Sequence, residues 1–572
     1  MQMPWARRCL SYHQDVSRLT LLVILLGICG GSSVLGADSP FLSIRDIKPG
    51  MHGTGKTVFA GNVISDFDVE ILGVLENVGP KQSLILGRFS GGPLEHTGVL
   101  QGMSGSPVYI GGKLIGAVAL GFAFSKDPIA GIRPIEEMIA AGTMPGVAVV
   151  PAGMAEIGTP VAFGGFSTKT LEAYSAQLRP FGFEPRQGLG MGGAVTSETM
   201  GSPASLHPGS MISVQLMSGD LNVGADGTVT YIDGTQIYGF GHRFLGTGPT
   251  DLPFARSEVL ALVPNVNTSF KISAAKELMG VIRQDRNTAI TGELGKRADL
   301  VPIEVAVNGK TYRMKMVNDR YLSPILLQMA VFNAIDGTER AAGPSTLTVS
   351  GEIQFAGRAS APIRTTYSSE GAVSLQASLA AAIPLSYILQ GGFSELRVTG
   401  VKLAVESVDQ HRQLQIEDVT ISKREVHPGD SVELTAHMTG EDGREISRRV
   451  QYSIPSGMAA GTLYFSVADG PQTSLTDLRT LYGANPRSAE ELVRAVSLVR
   501  ATDRAYVRVW RADADFQVAG VDLPDPPPSI GMLLAGNIGN TQVKNSKIAD
   551  FELTAPGWVV AGAKTVQVEV KN

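Results

Sequence analysis

Glycine sets the terms on which this chain can fold. It occurs 67 times in 572 residues and falls between apolar runs of strand length. KTVFAGNVI, FDVEILGVL, SLILGRF and KLIGAVALGF, between Ile44 and Val150, mix alternating and continuous apolar stretches. A strand with one wet face alternates and a strand covered on both faces does not, so the mixture fits strands of a closed barrel. A second such block starts near Met211 with MISVQLM, GTVTYIDG, TQIYGFGH, VLALVPNV, TSFKIS and MGVIRQD. The Asp-Gly pairs at 226–227 and 233–234 read as hairpin turns. Beyond Gly343, STLTVSGEIQFAG, ELRVTGVKLAVESV and PGDSVELTA alternate apolar and polar residues, the pattern of Ig-like β-sandwich modules. Helices are expected over 134–141, where proline opens IEEMIAA, and over 167–178, 323–334, 473–481 and 489–499. The fold class is therefore mainly β. The length implies several domains. Composition divides the chain into 1–37, a strand-rich block at 40–150, a Gly-, Pro- and Ser-rich connection over the surface at 151–205, a second block at 206–340, a β-rich domain at 343–410 and a sandwich-like region at 411–572.

The first 37 residues read as an address. Arg7, Arg8 and Arg18 precede the apolar run Leu19–Ile28, and small residues follow up to Ala37. A basic start, a short apolar core and a small-residue exit describe a secretory signal peptide. The alternative is a membrane anchor, but the run is about half the ~20 residues that a spanning helix needs. The run LGIC around Cys29 resembles a lipoprotein site, with Ile28 where a small residue is required. Both cysteines, Cys9 and Cys29, lie in this leader, so a cleaved chain has neither disulfides nor a thiol nucleophile. The leader carries three arginines and one aspartate, and its loss moves the formal charge from −5 to −7. No basic excess is left to neutralise phosphates, which argues against a nucleic-acid partner. The expected compartment is the periplasm or the cell exterior, with no stable membrane span after cleavage.

The stretch Gln101-Gly102-Met103-Ser104-Gly105-Ser106-Pro107 carries the most chemical information. A serine nucleophile has to stand on a tight turn, with its hydroxyl facing substrate and backbone N–H groups facing the developing oxyanion. Glycines 102 and 105 allow such a turn, and the N–H groups of Gly102 and Ser104 are the candidate oxyanion donors. Metal and nucleotide chemistry find no comparable pattern. There is no HExxH and no histidine pair at helical spacing, and GTGKT at 53–57 is only part of a phosphate loop.

Two longer runs carry a resemblance to a known family. HTGVLQGMSGSPVYIGGKLIGAVALGFAFSKDPIAGIRPIEEM, over about 95–140, resembles the serine-bearing segment of the SpoIVB peptidase family, serine peptidase family 55. GTVTYIDGTQIYGFGHRFLGTGPTDLPFARSEVLALVPN, over about 227–265, resembles its histidine-bearing segment. The resemblance implies a serine endopeptidase on a two-barrel, chymotrypsin-like unit, with Ser104 as nucleophile and His242 as general base and no cofactor. Here the serine run precedes the histidine run, so the barrels would be exchanged in order; triads are defined by geometry, which permits this. No PDZ-like stretch is visible. The family's acid would fall at Arg88-Phe89-Ser90-Gly91, which holds no aspartate. Asp251, Asp285 and Asp68 are the candidates for the missing acid, and His96, eight residues before Ser104, is the rival base.

The expected function is exported hydrolysis of protein substrates through a Ser–His acyl-enzyme, with the chain itself among the substrates. The alternative is an inactive peptidase-fold scaffold whose β-sandwich region binds a protein or glycan of the cell envelope. A purely structural envelope protein would leave Ser104 and His242 far apart.

Overall fold

The computed structural model describes residues 39–572 apart from 123, 141–150, 152, 159–160, 182, 184, 188–198, 339–342, 372, 482–485, 487, 498, 513–514, 519–520, 524–526, 537–540 and 544–545. The expected leader, 1–37, lies outside the described residues. The chain is mainly β, with 52% strand and 19% helix, as its glycine-punctuated pattern requires.

The first sheet contains β1 (His52–Ala60), β2 (Val63–Gly79), β3 (Gln82–Ser90), β4 (Pro107–Ile110), β5 (Lys113–Phe122), β6 (Ile129–Pro134) and β7 (Met154–Glu156). Its order is β4-β1-β2-β3-β6-β5-β7, and β4 also pairs with β5. That extra pairing closes β1–β6 into a six-stranded ring, leaving β7 as an added strand on β5. Phe67, Ile71, Ile85, Phe89, Val108, Val118 and Ile132 fill the ring. Two short helices belong to this part, α1 (Leu94–Thr97) and α2 (Ile135–Ala140).

The second sheet has 13 strands. It includes β8 (Val161–Gly164), β9 (Pro185–Gln187), β10 (Met211–Gly219), β11 (Asn222–Asp233), β12 (Gln236–Gly239), β13 (Gly248–Val263), β14 (Phe270–Arg286) and β15 (Ala289–Leu294). Here β10-β13-β14-β15-β12-β11 run side by side, and β10 also pairs with β11, so six strands again form a ring. The sheet continues from β10 into β16 (Leu300–Val307) and β17 (Lys310–Val317), then β18 (Ser345–Phe355), β19 (Ala361–Ser369) and β20 (Val398–Val408), with β16 parallel to β20. The two rings touch: the Gly61 N–H donates to the Val259 carbonyl at 2.8 Å and the Gln101 N–H to Ser269 at 2.8 Å.

Three helices pack on the second sheet: α3 (Thr168–Leu178), α4 (Leu322–Asp336) and α5 (Val373–Gln390). Ser167 caps α3 by accepting from the Thr170 N–H at 3.1 Å, supplying an acceptor that a first helical turn lacks. The hydroxyls of Tyr174 and Ser378 join α3 to α5 at 3.1 Å. Helix α5 is long and apolar enough to cross a membrane, and half of it is buried inside the protein, against α4, β18 and β19. The last 160 or so residues form further sheets, of which one of four strands and one of five share a single core that includes Leu414, Leu434, Phe465 and Val507.

The helices expected near 134, 167, 323, 473 and 489 are present. Three details differ from the sequence reading. Residues 161–178 do not run over the surface: β8 pairs with β11, and Phe163 and Tyr174 are fully buried. The Asp-Gly pair at 226–227 lies inside β11 and not at a turn, because the Phe240 ring packs where a side chain on Gly227 would stand. Helix α5 is an element the sequence reading did not expect inside the β-rich stretch 343–410.

Candidate active site

Ser104 sits on the turn between α1 and β4, and backbone hydrogen bonds hold that turn on every side. The Met103 N–H donates to Leu100 at 3.1 Å and the Ser106 N–H to Met103 at 2.9 Å, which winds the chain tightly around residue 104. The Gly105 N–H reaches the Val118 carbonyl on β5 at 2.8 Å. From the second ring, the Thr228 N–H donates to the Ser104 carbonyl at 2.8 Å. Two threonine hydroxyls on the same face of β11 complete the clamp, Thr228 Oγ1 donating to the Gly102 carbonyl at 3.0 Å and Thr230 Oγ1 to that of Gly105 at 2.7 Å. Gly105 is required here. Its φ is +90°, and a Cβ would lie 2.0 Å from the Thr228 carbonyl oxygen. Among the described residues, neither the Gly102 nor the Ser104 N–H meets an acceptor.

His242 follows β12 on a second tight turn. Phe240 and Gly241 both have positive φ, +67° and +69°. Gly241 packs onto β5, where a Cβ would stand 3.3 Å from the Val118 carbonyl oxygen, the atom that receives the Gly105 N–H. The Phe240 N lies 2.5 Å from where a Cβ on Gly105 would be. The serine and histidine runs therefore meet at β5.

Ser104 is 0% exposed and His242 2%, yet Ser104 Oγ and His242 Nε2 have no hydrogen-bond partner. An orphaned buried polar atom costs about 1–3 kcal/mol. Among the described residues, Gln101 Oε1 and Ser106 Oγ on the same turn are also buried without a partner, so polar groups left open cluster around Ser104. His242 Nδ1 lies 2.6 Å from the Arg243 carbonyl oxygen. A carbonyl only accepts, so Nδ1 carries the proton and Nε2 holds the free lone pair. Burial lowers the pKa of His242 below 6.5; nearby Glu156 and Asp285 oppose this but do not reverse it.

The three candidate acids part company. Asp285 is buried at the end of β14 and accepts N–H bonds from Phe244 (2.8 Å), Leu245 (2.6 Å) and Gly246 (2.8 Å). It thus anchors the loop that carries His242, while Nδ1 itself meets the Arg243 carbonyl. Burial raises its pKa, and these amides pull it back. Asp251 pairs with Arg283 and accepts the Asp299 N–H at 2.7 Å. Asp68 is exposed on β2, across from Thr54 and Ser90. His96 is exposed on α1.

Sequence reasoning missed a buried charge beside the serine turn. Lys271 on β14 packs its stem against Gly102 and donates from Nζ to Thr57 Oγ1 on β1 at 2.8 Å. Burial lowers its pKa to about 7, with the charge of Asp226 pulling the other way. Asp226, which the hairpin reading put at a turn, is buried mid-strand and accepts from Ser273. The signal was present in TSFKIS, where the lysine shares a strand face with Ser269 and Ser273 while Phe270 and Ile272 take the other.

A serine on a glycine turn with two free amides beside it suits nucleophilic catalysis, and the turn that carries His242 adjoins it, with no hydrogen bond joining Ser104 Oγ to His242 Nε2. Residues 41–139 match the family described as SpoIVB peptidase S55, which supports a serine peptidase. The matched span contains Ser104 and ends before the histidine run. No curated protein and no solved structure matches the chain.

Proposed function

We propose that the protein is an exported serine endopeptidase that cleaves proteins of the export compartment, its own chain included. The two rings would form a chymotrypsin-like unit with the serine-bearing barrel first. Ser104 Oγ attacks the scissile carbonyl carbon while His242 Nε2 takes its proton. The N–H groups of Gly102 and Ser104 hold the oxyanion. Collapse breaks the C–N bond, and the leaving amine takes the proton from Nε2. Water then attacks the acyl-enzyme, gives its proton to Nε2, and Ser104 recovers one as the acid product leaves. The Arg243 carbonyl, with Asp285 fixing its loop, takes over the orienting work that a carboxylate does in a triad. Export rests on the leader-like residues 1–37.

The observation that carries this reading is the pair of orphaned atoms, Ser104 Oγ and His242 Nε2, on turns that meet at Val118. The test is to treat residues 38–572 with a fluorophosphonate probe, beside Ser104→Ala and His242→Ala. Labelling lost in both variants is the expected result. Loss in Ser104→Ala alone would move the base elsewhere. A folded wild type that never labels, even after prolonged exposure, would count against the enzyme.

A further inference from the structure

The edge of β5 nearest the serine turn is shared among three tenants. Its first half, Lys113–Ala117, pairs with β4. Val118 is held by the turn itself, accepting from the Gly105 N–H at 2.8 Å and donating to Ser106 at 3.0 Å. The remainder belongs to β7. The Ile157 N–H donates to the Ala119 carbonyl at 2.9 Å, and the antiparallel register continues as Leu120 with Glu156, Gly121 with Ala155 and Phe122 with Met154. The segment 154–158 thus begins one residue along the strand from where the serine turn ends.

Its side chains engage the site in alternation. Ile157 is buried in the same core as Leu100, Met103 and Val118. Glu156 turns toward Arg243 at 3.5 Å, and its charge acts on His242. Gly158 lies against Gln101, where a Cβ would be 2.7 Å from Nε2, just ahead of the free Gly102 amide. A cleft of about 630 Å³ borders the segment, walled by Ala155–Gly158 themselves and by Gln101, Phe122, Phe183 and His242. Among the described residues β7 has no strand partner other than β5. Short terminal strands with one neighbour are the first elements to open. An extended peptide binds by adding a strand to such an edge, with main-chain bonds giving affinity and alternate side chains entering pockets.

We propose that β7 occupies the substrate's place, and that peptides bind as an antiparallel strand on Ala119–Phe122 in the register β7 now holds. The preferred sequence has an aliphatic residue for the slot of Ile157, a small residue after it, and an acidic residue before it to face Arg243. Its link to catalysis rests on the reading of Ser104 given above; the binding mode does not. A peptide must first displace the resident strand, so its apparent affinity is lowered by the small fraction of molecules with β7 open.

The test uses the Ser104→Ala protein and a fluorescein-labelled Met-Ala-Glu-Ile-Gly peptide, followed by anisotropy. Adding Ile157→Ala weakens the resident strand and should tighten peptide binding at least tenfold, while a peptide with aspartate in place of isoleucine should not bind. Equal binding with and without Ile157→Ala, indifference to the aspartate, or no binding at all would overturn the proposal. Should Ile157→Ala lose its circular dichroism signal, Glu156→Ala releases the strand from Arg243 without opening the core, and the same outcomes apply. Fluorophosphonate labelling of the Ser104 protein separates the two readings. Peptide binding without labelling rejects the nucleophile and keeps the site; labelling without peptide binding does the reverse.

Discussion

His242 is buried, and among the described residues no carboxylate meets its ring; both facts bear on how it would work. Burial disfavours the imidazolium, so the ring stays neutral to a lower pH than a free histidine. A base must be neutral to accept a proton. The labelling rate of Ser104 should therefore hold as pH drops past 6.5 and fall only below it; a midpoint at or above 6.5 would mean that Glu156 and Asp285 outweigh burial. Glu156→Gln removes a charge that favours the imidazolium, so it should move the midpoint lower still. The same shift makes the unfolded state the better proton acceptor around pH 6, so His242 contributes to a loss of stability on acidification. Asp285 offers a separate test. Asp285→Ala leaves three amides without their acceptor, which costs about 3 kcal/mol or more. Asp285→Asn keeps one carbonyl oxygen and should cost less. Thermal midpoint and labelling rate should fall together along that series; a fall in stability alone would detach this carboxylate from the work of His242.

The serine turn depends on strands that are distant in sequence. Gly105→Ala would force a Cβ into the Thr228 carbonyl, so labelling should vanish while far-UV circular dichroism stays close to wild type. Thr228→Val and Thr230→Val each remove one hydroxyl hydrogen bond, worth about 1 kcal/mol, and should slow labelling while the fold persists. What was legible in the sequence follows the same division. GMSGSP and GFGH could be found because tight turns demand glycine at fixed places. The orienting group of His242 could not, because a backbone carbonyl carries no side-chain signature, and a search for an aspartate offered three choices where the ring uses none directly. The Asp-Gly pair at 226–227 misled because the same glycine serves a hairpin turn or a close aromatic contact. The strand VAFG before α3 was lost beside glycines, although Phe163 lies in the main core. In α5, Pro384 and the flanking β patterns concealed an alanine-rich helix.

The C-terminal region is bound into the rest of the molecule. Ala489, Leu492 and Val496 enter the same core as α4 and α5. The Thr366 N–H donates to Thr502 Oγ1 at 2.7 Å, and Arg364 meets Asp503 at 3.2 Å. Burying Leu492 and Val496 alone contributes roughly 3–6 kcal/mol. A chain ending at residue 410 should therefore bind the hydrophobic dye ANS and melt well below the full protein; an unchanged melting midpoint would show the C-terminal region to be an independent appendage.

The meeting of the serine and histidine runs at Val118 also sets a schedule. Thr228 and Thr230 must be in place before the turn around Ser104 takes its shape, and His242 arrives later still along the chain. Contacts between segments so far apart form late, after long loops have been closed. A polypeptide threading through a membrane with its N-terminus leading would thus carry Ser104 across as an ordinary serine. On the reading proposed above, neither the pore that passes it nor the helpers that meet it would face a working hydrolase until at least the first two-fifths of this chain had emerged and folded.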